Sequence, residues 1–129
     1  DHTELGITAK ISELEVLLKQ TDPELAAMLE RLRVSPTFYG FRWITLLMTQ
    51  EFDLPDVLRL WDSLLADSRR FTFLNYFCAT MVLSIRDELL QANDFAYTVK
   101  ALQSYGNAVP LETLLARALR LYERGRGPA

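Results

Sequence analysis

Apolar residues recur along this chain at steps of three and four, interrupted by proline, glycine and short polar clusters. Leu5, Ile7, Ile11, Leu14, Leu17 and Leu18 share one stripe, with Lys10, Glu13 and Lys19 opposite. That spacing predicts a helix over roughly residues 4–20, with a first turn weakened by Gly6. Asp22 before Pro23 is an N-cap followed by proline in the first turn. Leu25, Met28, Leu29 and Leu32 then carry a second helix to near Arg33. Val34-Ser35-Pro36 breaks it, because the residue before proline is pushed out of helical geometry. A third helix is expected from about Thr37 to Gln50, with Phe41, Ile44, Leu47 and Met48 inward. Pro55 opens a fourth, whose stripe is Val57, Leu58, Trp61, Leu64 and Leu65.

The segment Phe71–Ile85 departs from this pattern: eleven of its fifteen residues are apolar, and they lie on all sides. Its Phe, Tyr, Val and Ile residues would also suit a pair of strands, but no turn signal divides the run. A helix apolar nearly all round belongs at the centre of a bundle. Asn93 is the expected N-cap of a sixth helix with Phe95, Val99 and Leu102 inward, stopped by Gly106-Asn107. Pro110 opens a last helix carrying Leu111, Leu114, Leu115, Ala118, Leu119 and Tyr122. No segment alternates with period two and no internal repeat is visible, so the expected fold is all-α, with about seven helices. One domain over residues 1–124 and a flexible tail at 125–129 complete the expectation.

Composition narrows the function classes. A chain of 129 residues holds one domain with a real core. Acidic residues exceed basic ones by three, which supplies no overall field for nucleic acid or an anionic membrane. The apolar runs are short and broken by charge, so no membrane insertion is expected. With the single cysteine Cys78, no intrachain disulfide can form, and a reducing, intracellular setting fits. The chain begins at Asp1 with no signal-like segment after it, and reads as a fragment or processed product.

Catalytic chemistry finds little to work with. One His and one Cys make a metal site untenable, and no cofactor is implied. Cys78 sits in Tyr76-Phe77-Cys78-Ala79, an apolar setting for an inert core thiol. No serine stands in a nucleophile elbow, and the five scattered glycines form no phosphate loop. Arg117, Arg120, Arg124 and Arg126 could meet an acidic partner, although a solvated face complementing the helix C-terminus is the simpler reading. Trp43 and Trp61 fall on apolar stripes, where burial with a bonded indole N–H is expected. The residues alone describe an interaction module without a catalytic constellation.

The middle of the chain resembles a family. Phe41-Arg42-Trp43-Ile44-Thr45-Leu46-Leu47, Gln50-Glu51-Phe52 and Leu54-Pro55-Asp56-Val57-Leu58-Arg59-Leu60-Trp61-Asp62 are similar to the later part of the TBC domain of Rab GTPase-activating proteins. Arg86-Asp87-Glu88-Leu89-Leu90 continues the likeness, which covers roughly residues 1–105. The resemblance implies the C-terminal half of a bilobal, all-helical TBC domain, here an orthogonal bundle. Trp43, Phe52, Trp61 and Asp62 would be its structural signature, and Arg42, Glu51, Asp53, Asp56 and Arg59 a candidate partner surface. The implied partners are a Rab-type small GTPase and the N-terminal TBC lobe, in the cytoplasm with recruitment to organelle membranes. The family acts through an arginine from Ile-x-x-Asp-x-x-Arg and a glutamine from Tyr-x-Gln, the arginine being the main lever of a GTPase activator. Neither motif occurs in this sequence, so no catalytic residue is assigned. A lobe without its neighbour is expected to self-associate through Leu5, Ile7, Ile11 and Leu14. The rival expectation is a non-catalytic helical scaffold or adaptor that keeps TBC-like packing.

Overall fold

The run that is apolar on nearly all sides forms the centre of the molecule. The computed structural model describes residues 2–45, 52–66, 70–106 and 108–125. Among them are eight helices and no strand: α1 (His2–Thr21), α2 (Pro23–Arg31), α3 (Thr37–Thr45), α4 (Leu54–Ala66), α5 (Arg70–Leu83), α6 (Arg86–Ala92), α7 (Phe95–Gln103) and α8 (Leu111–Gly125). The continuous run from Phe73 to Val82 in α5 is buried except for half-buried Tyr76. That helix packs against α8, α1, α4 and α3 at once. Small residues let the central pair approach closely: Ala79 of α5 and Ala118 of α8 are both fully enclosed. Residues 46–50 of the expected third helix, including Leu47 and Met48, lie outside the described residues, as do Arg126 and the rest of the expected tail. Gly125 itself is the last residue of α8.

Four local choices differ from the sequence pattern. The apolar run ends earlier than expected, at Leu83, where the Ile85 N–H turns back to Val82 and an additional short helix, α6, begins. Asn93 is the C-cap of α6, left-handed at φ 48°, a conformation that asparagine tolerates. Asp94 next to it caps α7 instead, accepting from the Tyr97 N–H at 2.8 Å. The second helix stops before Pro36 can act: Arg33 turns left-handed (φ 63°) and the Val34 N–H reaches back to the Leu29 carbonyl at 2.8 Å.

Several stripe-edge residues face solvent. Phe41, Leu58, Phe95 and Leu119 were expected inward and are all 45–51% exposed. The buried set of α3 is instead Tyr39, Gly40, Trp43 and Ile44. A helical stripe is wider than the surface its neighbours cover, and its edge is where sequence spacing loses the distinction. In α1, Ile11 and Leu14 belong to the chain's own core, while the side chains of Leu5 and Ile7 lie outside the described residues.

Asp22 confirms its expected role and adds a second one. Its Oδ1 accepts from the Leu25 N–H at 3.1 Å, and its Oδ2 lies 2.5 Å from Arg86 Nε. The Arg86 guanidinium also reaches Glu24 Oε1 at 2.8 Å, so the first turn of α6 is fastened to the start of α2. Burial pushes the Asp22 carboxyl up, but hydrogen bonds from Arg86 and the Leu25 N–H outweigh it, and the carboxyl ends below its ordinary 3.8. A depressed carboxyl stabilises the fold above its unfolded value, and that contribution is lost as pH falls through the folded value. Asp22→Ala is therefore expected to cost about 1 kcal/mol at neutral pH, as for other N-cap losses. In urea titrations the gap between the two proteins should close as pH falls below the ordinary carboxylate range; a gap that stays constant down to acid pH would refute the linkage.

Candidate functional site

The residues that carry the family likeness are mainly structural. Trp43 is fully enclosed, its ring 4.9 Å from Tyr39 and 5.8 Å from Tyr105. The Tyr105 hydroxyl donates to the Met81 carbonyl at 2.9 Å, which anchors this aromatic cluster to α5. Phe52, also buried, lies edge-on to Phe77 at 6.1 Å. Trp61 is half-buried and packs on the outside of the core, and Asp62 is exposed. One expectation fails here: among the described residues the buried Trp43 Nε1 has no hydrogen-bond partner, and neither has the Tyr39 hydroxyl. Burial pushes the Tyr39 phenol far above its ordinary value, so it stays protonated and takes no part in acid–base chemistry.

The candidate partner surface falls on two elements. Arg42, exposed on α3, donates to the Gln103 carbonyl at the end of α7, and Gln103 Nε2 returns a bond to the Phe38 carbonyl at 2.8 Å. Asp53 is exposed just before α4, and its carbonyl accepts from the Val57 N–H at 3.0 Å. Asp56 is half-buried in the first turn of α4. One turn further, Arg59 Nε lies 3.1 Å from Glu112 Oε1 of α8. The structure thus brings Asp53, Asp56 and Arg59 together around the start of α4, with Arg42 held separately against α7; Glu51 lies outside the described residues.

Sequence reasoning missed the exposed aromatic face beside Arg42. Phe38 and Phe95 meet edge-on at 6.1 Å on the outside of α3 and α7, with Phe41 and Tyr97 also exposed on these helices. The Tyr97 hydroxyl donates to Glu88, a bond that raises the phenol above its ordinary value. The signal was present as four aromatics, of which the spacing places Phe41 and Phe95 inward and gives Phe38 and Tyr97 no role. A separate cleft of about 300 Å³ opens where α1, α2 and the following loop meet, walled by Leu18, Leu29, Val34 and Pro36 and edged by Glu15 and Arg33. Among the described residues no group of three or more His, Cys, Asp or Glu could hold a metal ion. None of these places pairs a nucleophile with a base; they offer surfaces for contact.

Residues 1–90 match the model of the Rab-GTPase-TBC domain. The chain belongs to this family. This TBC chain is 46% identical over 105 residues to human TBC1 domain family member 13, covering 81% of the chain and 26% of that protein. It is 36% identical over 125 residues to mouse TBC1 domain family member 5, covering 96% of the chain and 15% of that protein. Among solved structures it is similar to the Ypt/Rab-GAP domain of Gyp1p, with a TM-score of 0.87 and 27% identity over 95% of the chain and 39% of that structure. The all-α architecture is thus that of a TBC domain. The chain spans about a quarter or less of these two curated relatives. Among the described residues no helix is long and apolar enough to cross a membrane.

Proposed function

We propose that this chain is the C-terminal part of a Rab GTPase-activating domain, which supports the catalytic lobe and adds to the Rab-facing surface. It brings neither the arginine nor the glutamine finger. The observation that carries this reading is the family match over residues 1–90 in a sequence without Ile-x-x-Asp-x-x-Arg or Tyr-x-Gln. Burial of Trp43 and Phe52 supports it, because these two family-like residues are used for packing. The charged residues around the start of α4, together with Arg42, are the proposed Rab-facing contribution. Such a surface would place the protein on organelle membranes through its GTPase partner, without insertion.

Single-turnover GTP hydrolysis on a panel of Rab proteins tests the proposal. The 129 residues alone should leave the intrinsic rate unchanged, since a trans arginine supplies about 10³–10⁵ of the acceleration in such systems. A chain extended upstream to include both finger motifs should restore acceleration. Stimulation by the 129 residues alone would overturn the reading. An extended natural chain that lacks both motifs and stimulates nothing would replace it with the scaffold reading.

A further inference from the structure

The arginines of α8 acquire a setting in three dimensions that their spacing did not reveal. Arg117, Arg120 and Arg124 line one groove of about 200 Å³ with Thr21 at the end of α1 and with Thr80 and Ser84 at the end of α5. Arg117 Nη1 donates to Ser84 Oγ at 3.0 Å. Among the described residues, Arg120 and Arg124 have no hydrogen bond or ion pair, and Glu123, in the same turn, forms none with them. Arg31 bonds Asn93, Arg59 pairs with Glu112, and Arg86 pairs with Asp22 and Glu24, whereas the Arg33 side chain, far from this groove beside α2, also makes no hydrogen bond or ion pair among the described residues.

Complementing the helix dipole does not account for this arrangement. That effect fades within the last turn, which includes Arg124 but not Arg117, eight residues before the end of α8. Like charges at steps of three and four on a helix repel one another. Three such cations line one groove, and among the described residues no carboxylate is joined to them. Thr21 and Thr80 donate to the carbonyls of Leu17 and Tyr76, whereas Ser84 accepts from Arg117 and retains its own proton to donate.

We propose that this groove binds a phosphate-bearing anion of the phosphomonoester or pyrophosphate class. Guanidinium forks match the oxygens of phosphate in pairs, and Ser84 supplies a further donor at the floor. The small volume favours a compact, multiply charged group over the dispersed carboxylates of an acidic peptide. A soluble phosphorylated metabolite and a phosphorylated lipid headgroup share this chemistry. The three arginines lie on α8, beyond the ninety residues matched by the family model, while Thr21, Thr80 and Ser84 lie within them; the proposal stands independently of the GTPase reading.

Titration of the isotopically labelled 129-residue chain with pyrophosphate, followed by amide chemical shifts, tests the site. Saturable shifts confined to Thr21, Ser84 and the last three turns of α8 are expected. The triple variant R117Q/R120Q/R124Q should weaken binding by at least about tenfold, whereas Lys100→Gln, a charge loss on α7, should leave it unchanged. The corresponding triple lysine variant keeps the charge but not the fork, and should fall between them. If the triple glutamine variant fails to fold, Arg120→Gln alone, whose guanidinium makes no hydrogen bond or ion pair among the described residues, should still weaken binding. Phosphatidylcholine vesicles with and without phosphatidylinositol phosphate separate the sources. Capture only by the phosphorylated vesicles identifies a lipid headgroup, and pyrophosphate binding without vesicle capture identifies a soluble phosphate. Shifts scattered over the surface, unsaturable binding, or unchanged affinity in the glutamine variants would overturn the proposal. So would tighter binding of polyglutamate than of pyrophosphate through the same residues.

Discussion

Trp43→Ala is expected to destabilise the fold by about 3–5 kcal/mol, a large share of the total stability of a domain this size. The indole is fully enclosed between Tyr39 and Tyr105, so its removal leaves a cavity that neighbouring helices cannot collapse into without moving. The orphaned Nε1 makes the companion prediction sharper. Trp43→Phe removes ring volume and a buried donor that has no partner, so it should cost no more than about 1.5 kcal/mol. Trp61→Ala should cost about 1–2 kcal/mol, because that ring is only half-buried on the outside of the core. Urea denaturation of the three variants, with the slope held constant, checks the order. A near-neutral Trp43→Ala would mean that the family signature does not hold the core together.

The second large effect concerns the join between the first helix and the central one. Asn75, 3% exposed on α5, donates through Nδ2 to the Lys10 carbonyl and to Glu13 Oε2, both at 3.1 Å, while its buried Oδ1 has no partner among the described residues. Asn75→Asp keeps the shape but removes both donors and sets a carboxylate against a carboxylate and a carbonyl. The expected loss is about 3 kcal/mol at neutral pH. Burial and the Glu13 charge both raise the introduced carboxyl. A raised carboxyl destabilises above its unfolded value, so the deficit should shrink as pH falls toward the ordinary carboxylate range near about 4. Asn75→Leu removes the unsatisfied oxygen as well as the donors and should stay within about 1 kcal/mol of the parent. Thermal melts of both variants across neutral to mildly acidic pH decide the matter; an aspartate variant as stable as the parent at neutral pH would show that the amide donors carry no weight.

Most of the helices could be read directly, for physical reasons that act locally. Asp22 before Pro23 caps α2 because a carboxylate one residue before a proline satisfies a neighbouring N–H without competition. The apolar surround of Phe73, Phe77 and Met81 forces α5 inside wherever the other helices go. Legibility failed where two residues suit the same role. Asn93 and Asp94 are both good caps, and only the left-handed turn at Asn93 divides the work between α6 and α7. The candidate partner surface was named residue by residue, yet its division between α4 and the α3–α7 edge was not visible. Arg42 and Arg59 are held by Gln103 and Glu112, residues remote in sequence.

By itself the sequence determines that this is a helical chain with a TBC-like Trp-Asp block and without either finger motif. Those properties depend on spacing over a few residues, and short-range sterics and hydrogen bonding enforce them. The tertiary structure decides which edge of each apolar stripe is covered. It leaves Phe41 and Phe95 outside while enclosing Trp43, and it joins Arg86 to a cap on α2. It also brings three arginines, spaced three and four residues apart, to the lining of one groove. Periodicity specifies a face, but burial and charge pairing depend on which distant helix arrives to meet it.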